Sequence, residues 1–244
     1  MSQRTRLVEV TSRTGAESES LFERFHWLYA FCREHLFRDD TEQIADNIWP
    51  DAEPPLQARL LEIGCGPGFY SCRLAARFEH LHVTGIDRAG EQLNRARTRA
   101  KEKQLGNCRF EKADVLSLKW PPASFHAVVA SRLFTILPER ERALGEMFRV
   151  LRPGGRCFIA EPRSVLRAAL PLHAMWLTAR LLGYCRESPG SYREPRRVVV
   201  LPAVEFRALV ESQSWESVQY RQDTWYQYAV CQKDAGASAS GESP

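Results

Sequence analysis

A glycine-rich turn at the end of an apolar run constrains the fold of this chain more than any other feature. The run Leu60-Leu-Glu-Ile63 leads directly into Gly64-Cys-Gly-Pro-Gly68, and the residues that follow favour a helix. A buried strand that enters such a turn and continues as a helix is typical of α/β proteins with a parallel sheet. Glycines there adopt backbone angles closed to other residues and let a ligand approach the amide groups.

Short apolar runs alternate with longer helical patterns along the rest of the chain, which indicates a sheet covered by helices on both faces. The sequence therefore predicts an α/β fold: a doubly wound, seven-stranded, mainly parallel sheet that ends in an antiparallel hairpin around Gln222-Asp223. The predicted strands are 58–63, 81–86, 108–112, 127–131, 156–160, 215–221 and 224–233. The predicted helices are 69–78, 91–103, 139–150, 164–183 and 202–212.

The length of 244 residues is that of one α/β domain with modest additions. We expect this domain to span 20–234, between a polar segment 1–19 and a Gly/Ala/Ser-rich segment 235–244, both without fixed structure. The N-terminus lacks the apolar core of a secretory signal, and no apolar run is long enough to span a bilayer. The expected location is the cytoplasm.

Composition argues against several classes of protein. The formal charge of +4 is a small excess of 34 basic over 30 acidic residues, and it does not indicate a nucleic-acid partner. The seven cysteines are scattered, odd in number and without C-x-x-C spacing, so neither a disulfide framework nor a zinc site is expected. No metal site is predicted.

Two features near the glycine turn specify its ligand. The spacing is G-x-G-x-G, with Phe69 where the dinucleotide fingerprint carries its third glycine. That glycine allows close helix–strand contact around a pyrophosphate, so its absence favours a ligand without one. The second predicted strand leads into Asp87, whose carboxylate can accept both hydroxyls of a ribose.

From about Leu60 to Gly155 the chain resembles the class I S-adenosylmethionine-dependent methyltransferases, in particular those of quinone and small-molecule pathways. Leu60–Gly68 is similar to the first motif of that superfamily and Gly85-Ile-Asp87 to its ribose-binding motif. KADVLSL, FHAVVASRLFTIL and EMFRVLRPGG resemble its third-strand motif, its fourth-strand motif and its turn before the fifth strand. Five motifs in order are far more specific than one glycine turn. The resemblance implies S-adenosylmethionine as the cofactor.

The resemblance also assigns cofactor-binding roles to ten residues of the matching motifs. Glu62 would lie near the methionine amino group, and Gly64, Gly66 and Gly68 would line the methionine and ribose. The ten residues are Glu62, Gly64, Cys65, Gly66, Gly68, Asp87, Arg88, Asp114, Val115 and Ser131.

The remaining roles implied by the resemblance concern the ribose, the adenine and the methionine end. Asp87 would hold the ribose hydroxyls, with Arg88 beside the adenine. Asp114 would accept a hydrogen bond from the adenine amino group while Val115 packs nearby, and Ser131 would face the methionine end. Helix capping by Asp87 and an ordinary turn at Asp114 are the alternative interpretations.

Two departures from the family pattern concern a general base. His126 stands where relatives commonly carry aspartate, and Thr135-Ile136 replaces a position where many small-molecule methyltransferases carry histidine. Neither affects the cofactor residues, but the sequence assigns no catalytic base to that loop.

The resemblance places the methyl acceptor beneath an N-terminal helical cap, 20–57, and a lid inserted after the fifth strand, 162–200. The candidate catalytic residues are His26 and Tyr29 in the cap and His173 in the lid. Arginines flank the leucine stripe of the predicted helix 164–183, so this helix either makes a peripheral membrane contact or packs as an amphipathic lid on the core.

The leading functional hypothesis is methyl transfer to oxygen, carbon or nitrogen of a small, apolar or aromatic metabolite. A module that binds S-adenosylmethionine or a partner protein without catalysis is the second hypothesis. An RNA methyltransferase is the third, but it would require an appended basic domain or a concentrated basic patch beside the pocket. The sequence identifies neither the acceptor atom nor the oligomeric state.

Overall fold

The structure of the protein, a computed structural model, describes residues 38–50, 53–163 and 200–236, together with Trp27, Leu28, Phe31, Leu177, Thr178 and Leu181. The elements in the three continuous ranges are α1 Thr41–Ile48, β1 Arg59–Ile63, α2 Phe69–Arg77, β2 His82–Asp87, α3 Gly90–Glu102, β3 Cys108–Lys112, β4 Phe125–Ser131, α4 Arg140–Val150, β5 Leu151–Pro162, α5 Ala203–Val210, β6 Trp215–Gln222 and β7 Tyr226–Lys233.

The seven strands form one sheet in the order β3-β2-β1-β4-β5-β7-β6. The first five in that order are parallel, and β7 runs antiparallel to both of its neighbours. The predicted fold class is confirmed. The strand order reverses between β1 and β4, and in open α/β sheets ligands bind beyond the carboxyl ends of the strands at such a point.

The central strands are apolar because helices cover both faces of the sheet. Successive side chains of β1 enter opposite cores, so Leu60 faces the side of α1 and α2 while Leu61 faces the side of α4 and α5. Both side chains are fully buried. The two cores hold the sheet rigid beneath the loops at its carboxyl edge.

Strand β5 begins earlier than predicted. The sequence placed its start at Arg156, after the Pro-Gly-Gly stop of the preceding helix, whereas β5 follows α4 directly and starts at Leu151. Leu151 pairs with Phe125 of β4, and the next pair joins Ala127 to Arg156 with a shift of register. The Pro-Gly-Gly residues therefore form an irregularity inside the strand. Sequence propensity alone assigns these three residues to a loop.

The predicted two-residue hairpin turn is wrong by one residue. Strand β6 ends at Gln222 and β7 begins at Tyr226, so three residues connect them. The Asp223 Oδ1 atom accepts hydrogen bonds from the N–H groups of Trp225 at 2.6 Å and Tyr226 at 2.8 Å. An aspartate that caps its own turn in this way favours the longer connection.

Much of the predicted cap and lid lies outside the described residues, as does segment 1–19. Helix α1 falls within the predicted cap 20–57. Of the predicted helix 164–183 the structure describes only Leu177, Thr178 and Leu181, which are helical. No helix within the described ranges is long and apolar enough to cross a bilayer. The domain boundaries stay predictions.

Asn107 joins the end of α2 to the start of β3. Its Nδ2 group donates to the carbonyl oxygens of Ala75 at 3.0 Å, Phe78 at 3.1 Å and Leu81 at 3.0 Å. The last carbonyls of a helix lack partners within the helix. We therefore expect the Asn107 amide to stabilise the connection between α2 and β2.

Replacing Asn107 with alanine is expected to lower the free energy of unfolding by about 1–3 kcal/mol, since three carbonyl oxygens would each lose a hydrogen bond. Urea denaturation of both proteins measures this difference. Asn94→Ala is the matched control, because Asn94 is exposed on α3 and bonds only within its own helix. Its change should stay within about 0.5 kcal/mol. Equal effects of the two substitutions would contradict the role given to Asn107.

Candidate functional site

The glycine turn between β1 and α2 has a left-handed backbone at all three glycines. Gly64, Gly66 and Gly68 have φ angles of 67°, 51° and 74°, in the region that favours glycine. Gly68 is also the N-cap residue of α2, so the start of this helix faces the turn. The N–H of Cys65 donates to the Ile86 carbonyl oxygen at 2.9 Å, which fixes the turn to β2.

The turn has little space for side chains. A Cβ atom on Gly68 would lie 2.8 Å from Phe110 Cζ and 2.9 Å from Ala96 Cβ, and one on Gly64 would lie 3.3 Å from Leu133 Cδ1. The turn therefore packs between β3 and α3 on one side and the segment after β4 on the other. Cys65 is buried here, and burial raises the pKa of its thiol well above the usual range.

Asp87 closes β2 directly beside the glycine turn. Its Oδ2 atom accepts from the Gly66 N–H at 2.9 Å and its Oδ1 atom from the Ala89 N–H at 2.9 Å. Burial raises the pKa of this carboxyl, while the backbone hydrogen bonds oppose the rise. Each carboxylate oxygen has two lone pairs, so these bonds leave capacity for two ligand hydroxyls.

Glu62 is buried beneath the start of α2. Its Oε2 atom accepts hydrogen bonds from the Ser71 N–H at 2.8 Å and from the Ser71 hydroxyl. Ser71 lies in the first turn of α2, where N–H groups have no acceptor within the helix. Glu62 therefore caps α2 from the neighbouring strand. Its contact with the methionine amino group stays a prediction.

Asp114 and Arg88 lie together at the outer end of the turn region, on the side predicted for adenine. Asp114 Oδ1 accepts from the Leu116 N–H at 3.0 Å, and its Oδ2 atom is 3.9 Å from Arg88 Nη1. The aspartate thus stabilises an ordinary turn, the alternative considered above, and still presents an outer oxygen. Val115 is buried in the core beneath it.

Ser131 ends β4 and is paired with Ala160 of β5. The following residue, Arg132, has a positive φ of 60° and donates through its N–H to the Ala160 carbonyl oxygen at 2.8 Å. Its Nη1 group donates to the Tyr226 hydroxyl at 2.7 Å, at the start of β7. The sequence does not predict this contact between Arg132 and Tyr226. The strand that carries Tyr226 comes next to β5 only through the antiparallel hairpin, which spacing along the chain does not reveal.

Glu161 is a second residue that the sequence did not reveal. It is fully buried near the end of β5, and its Oε1 atom accepts from the Phe134 N–H at 2.7 Å. Burial raises its pKa to about 7, against the opposing effects of backbone hydrogen bonds and Arg132. A carboxylate that follows the apolar run Phe158–Ala160 was the available signal, since Asp87 ends its strand in the same way.

The cofactor residues predicted from the first four strands all lie at the carboxyl edge of the sheet. The candidate catalytic residues His26, Tyr29 and His173 lie outside the described residues. His126 lies near the amino end of β4, at the opposite edge, where its Nδ1 atom accepts from the Arg59 N–H at 3.1 Å. The His126 side chain therefore has a structural role, away from the carboxyl edge of the sheet. Across the described residues no three His, Cys, Asp or Glu side chains are grouped as metal ligands.

Comparison with known proteins identifies the family. A family model described as a methyltransferase domain matches residues 57–218. The demethylmenaquinone methyltransferases of Deinococcus radiodurans and Thermus thermophilus are each 32% identical to this chain. The alignments cover 67% and 66% of this chain and 69% and 76% of those proteins. The chain therefore belongs to the methyltransferase-domain family.

Solved structures share the fold at low sequence identity. Phosphoethanolamine N-methyltransferase 2 of Haemonchus contortus, in complex with S-adenosylmethionine, has a TM-score of 0.66 at 12% identity over 87% of this chain and 57% of its own. The [4+2]-cyclase SpnF has a TM-score of 0.61 at 19% identity over 80% and 81%. The fold alone thus does not specify a reaction. With the family match, the chain is an S-adenosylmethionine-dependent methyltransferase, and the predicted superfamily and cofactor are confirmed.

Gly68→Ala is expected to lower the free energy of unfolding by about 2–4 kcal/mol, through left-handed strain and overpacking against Phe110 and Ala96. Gly90→Ala is the matched control, because a Cβ atom there meets nothing within 4 Å. Urea denaturation compares both variants with the native chain. A Gly68→Ala protein as stable as Gly90→Ala would contradict the packing described for the turn.

Proposed function

We propose that the chain transfers the methyl group of S-adenosylmethionine to a small, apolar acceptor with an aromatic ring, of the reduced-quinone class. The observation that carries the proposal is the similarity, over two thirds of their length, to two enzymes named for demethylmenaquinone. Other relatives are named for rifamycin and sterol methylation, and these also indicate ring-containing small molecules.

The residues around the glycine turn fit S-adenosylmethionine. The three left-handed glycines give the turn a backbone conformation that can present amide groups to a ligand without a pyrophosphate. The Asp87 carboxylate beside them is an acceptor for the two ribose hydroxyls, and the Asp114 carboxylate is one for the adenine amino group. Ser131 would face the methionine end, at the carboxyl end of β4. We assign the cofactor to this edge on these grounds.

The acceptor side of the site combines apolar and cationic groups. Leu133 follows β4 in the buried core, and Ile136 and Trp225 are half exposed near the same edge of the sheet. Apolar surfaces there would remove water from an aromatic ring as it binds. The Arg132 guanidinium lies beside the Tyr226 hydroxyl, and its charge would stabilise an oxyanion on the acceptor.

Bound S-adenosylmethionine supplies a methyl group that is already electrophilic. The chain therefore has to hold the nucleophile in line with the breaking bond and exclude water, and proximity alone contributes several kcal/mol, about 7 or more in favourable cases. A general base is needed only for a protonated nucleophile. The positive charge of Arg132 favours the deprotonated form of a phenolic acceptor. This division explains why the cofactor residues form a clear motif and a catalytic base does not.

The acceptor can also be presented by a membrane. Leu177 and Leu181 are 52% and 62% exposed and lie four residues apart, which places them on one face of a helix. Two exposed leucines on one face support the predicted membrane contact of 164–183, which stays a prediction. An acceptor with an isoprenoid chain would reach the site from such a surface.

The proposed reaction is tested by incubating the purified protein with methyl-tritiated S-adenosylmethionine and a panel of acceptors. The panel contains a reduced short-chain demethylmenaquinone in detergent and in anionic vesicles, a catechol, trans-aconitate, phosphatidylethanolamine vesicles and total RNA. We expect label in the naphthoquinol, with the highest rate on vesicles. Labelled RNA would overturn the proposal, and so would cofactor binding without any labelled product across a broad set of small molecules.

Asp87→Ala is expected to raise the dissociation constant for S-adenosylmethionine at least about tenfold, because hydrogen bonds to a charged acceptor would be lost. Isothermal titration calorimetry measures the change. Asp46→Ala on the exposed side of α1 is the control and should bind as the native chain does. Because burial raises the Asp87 pKa, native affinity should also weaken as the pH falls through that pKa. An Asp87→Ala protein that binds S-adenosylmethionine with native affinity would contradict the assignment of the ribose to this carboxylate.

A further inference from the structure

The segment 132–135, between β4 and α4, is held by a buried side chain from the next strand. The Glu161 Oε1 atom accepts a hydrogen bond from the Phe134 N–H at 2.7 Å. The neighbouring N–H groups of Leu133 and Thr135 also favour the ionised form and so oppose the rise in its pKa. Without this carboxylate the Phe134 N–H would have no acceptor, which is costly in a protein interior.

The same segment touches both halves of the site. The Leu133 side chain lies against the glycine turn, where its Cδ1 atom would be 3.3 Å from a Cβ atom on Gly64. Arg132 reaches the Tyr226 hydroxyl on the acceptor side. From the other direction, Arg140 Nε donates to the Phe134 carbonyl oxygen at 2.8 Å. A displacement of the segment would therefore move groups beside the cofactor and the acceptor together.

The surroundings of Glu161 leave one of its oxygens without a partner. Within the described residues, the buried Oε2 atom has no hydrogen-bond partner. Gln227 of β7 is its neighbour in the sheet register but donates to the Leu201 carbonyl oxygen instead, at 2.7 Å. Among the described residues, the charged group that influences the Glu161 carboxylate is Arg132, on the segment itself. Arg140, at the start of α4, bonds the Phe134 carbonyl oxygen. Glu161 has no ion pair within the described residues and serves the segment.

We propose that Glu161 is a positioning residue for methyl transfer: its carboxylate fixes the segment 132–135 and thereby places Leu133 against the glycine turn and Arg132 at the acceptor. The inference rests on the proposed function for its consequence in catalysis. Its structural part rests on the hydrogen bond from the Phe134 N–H and can be tested without any acceptor.

The hold of Glu161 on the segment changes with pH. Its pKa of about 7 means that the carboxyl is mostly protonated at pH 6 and mostly ionised at pH 8. Hydrogen bonds to an ionised acceptor are roughly twice as strong as those to a neutral one. The segment should therefore become more ordered as the pH rises through about 7.

Amide hydrogen exchange of the native protein tests this directly. After correction for intrinsic rates, we expect the amide of Phe134 to gain about tenfold in protection between pH 6 and pH 8. Glu161→Gln keeps an acceptor oxygen but cannot ionise, so its protection should not change with pH. Glu161→Leu removes the acceptor, and its Phe134 amide should exchange at least about tenfold faster than the native one at pH 8.

Gln227→Leu is the matched control. It removes a polar side chain of similar size, buried at the paired position of the sheet, that does not bond the segment. Its exchange at 133–135 should follow the native pH dependence even where its global stability is lower. Native protection that does not vary with pH, or equal effects of Glu161→Leu and Gln227→Leu, would overturn the proposal. Should Glu161→Leu fail to fold, the comparison of native protein with Glu161→Gln decides the matter.

The catalytic consequence has its own readout. With a methylated acceptor in hand, kcat of the native enzyme should rise more steeply through pH 7 than that of Glu161→Gln, while the KM for S-adenosylmethionine changes less than about threefold. Identical pH profiles would show that the segment does not limit methyl transfer. Failure to find any acceptor would affect the proposed function only, because the exchange experiment stands without it.

Discussion

Three carboxylates at the carboxyl edge of the sheet satisfy the backbone N–H groups of the loops that build the site. Glu62 serves the first turn of α2, Asp87 serves the glycine turn, and Glu161 serves the segment 132–135. Loops and helix starts at this edge present donors that the sheet does not pair. Acidic side chains at or near the ends of buried strands accept hydrogen bonds from these N–H groups. The positions of the strand ends therefore determine the geometry of the loops.

This arrangement has opposite consequences for global stability and local order. The folded pKa of Glu161, about 7, lies above its ordinary value of 4.5. The stability associated with this group is therefore fully present below about pH 4.5 and is lost as the pH rises through about 7. Asp87 has a shift of the same sign. The ionised carboxylates accept the strongest hydrogen bonds from the loops, but their ionisation also lowers the global stability of the folded protein. Such a loss of stability is expected where a functional site keeps a buried charge.

The sequence predicted the parts of the fold that depend on local patterns. The glycine turn, the parallel sheet covered by helices and the place of Asp87 at a strand end follow from periodicity and spacing, and the structure confirms the fold. The position of Glu161 after an apolar run marks it as a strand-end carboxylate, but nothing in a single sequence shows that the loop after β4 returns to it. The predicted hairpin turn is one residue shorter than the observed one. The hydrogen bonds of the Asp223 side chain, and not a backbone dihedral preference, determine the length of the turn.

The proposed acceptor side depends on contacts between distant parts of the chain. Arg38 lies between the carboxylates of Asp40 and Asp223, with its guanidinium carbon 5.3 Å from the ring centroids of both Tyr226 and Tyr228. This cluster joins the segment before α1 to the C-terminal hairpin, and all five residues lie outside the range that the family model matches.

The predicted cofactor residues, in contrast, all lie within the matched range, 57–218. One cofactor presents one set of hydroxyls and amino groups, so the residues that bind it have little freedom to differ. Acceptors differ in shape and polarity, and the elements that cover them are free to differ as well. Because Arg132 bonds Tyr226, the segment that Glu161 holds connects the predicted cofactor site to the part of the chain that we propose to select the acceptor.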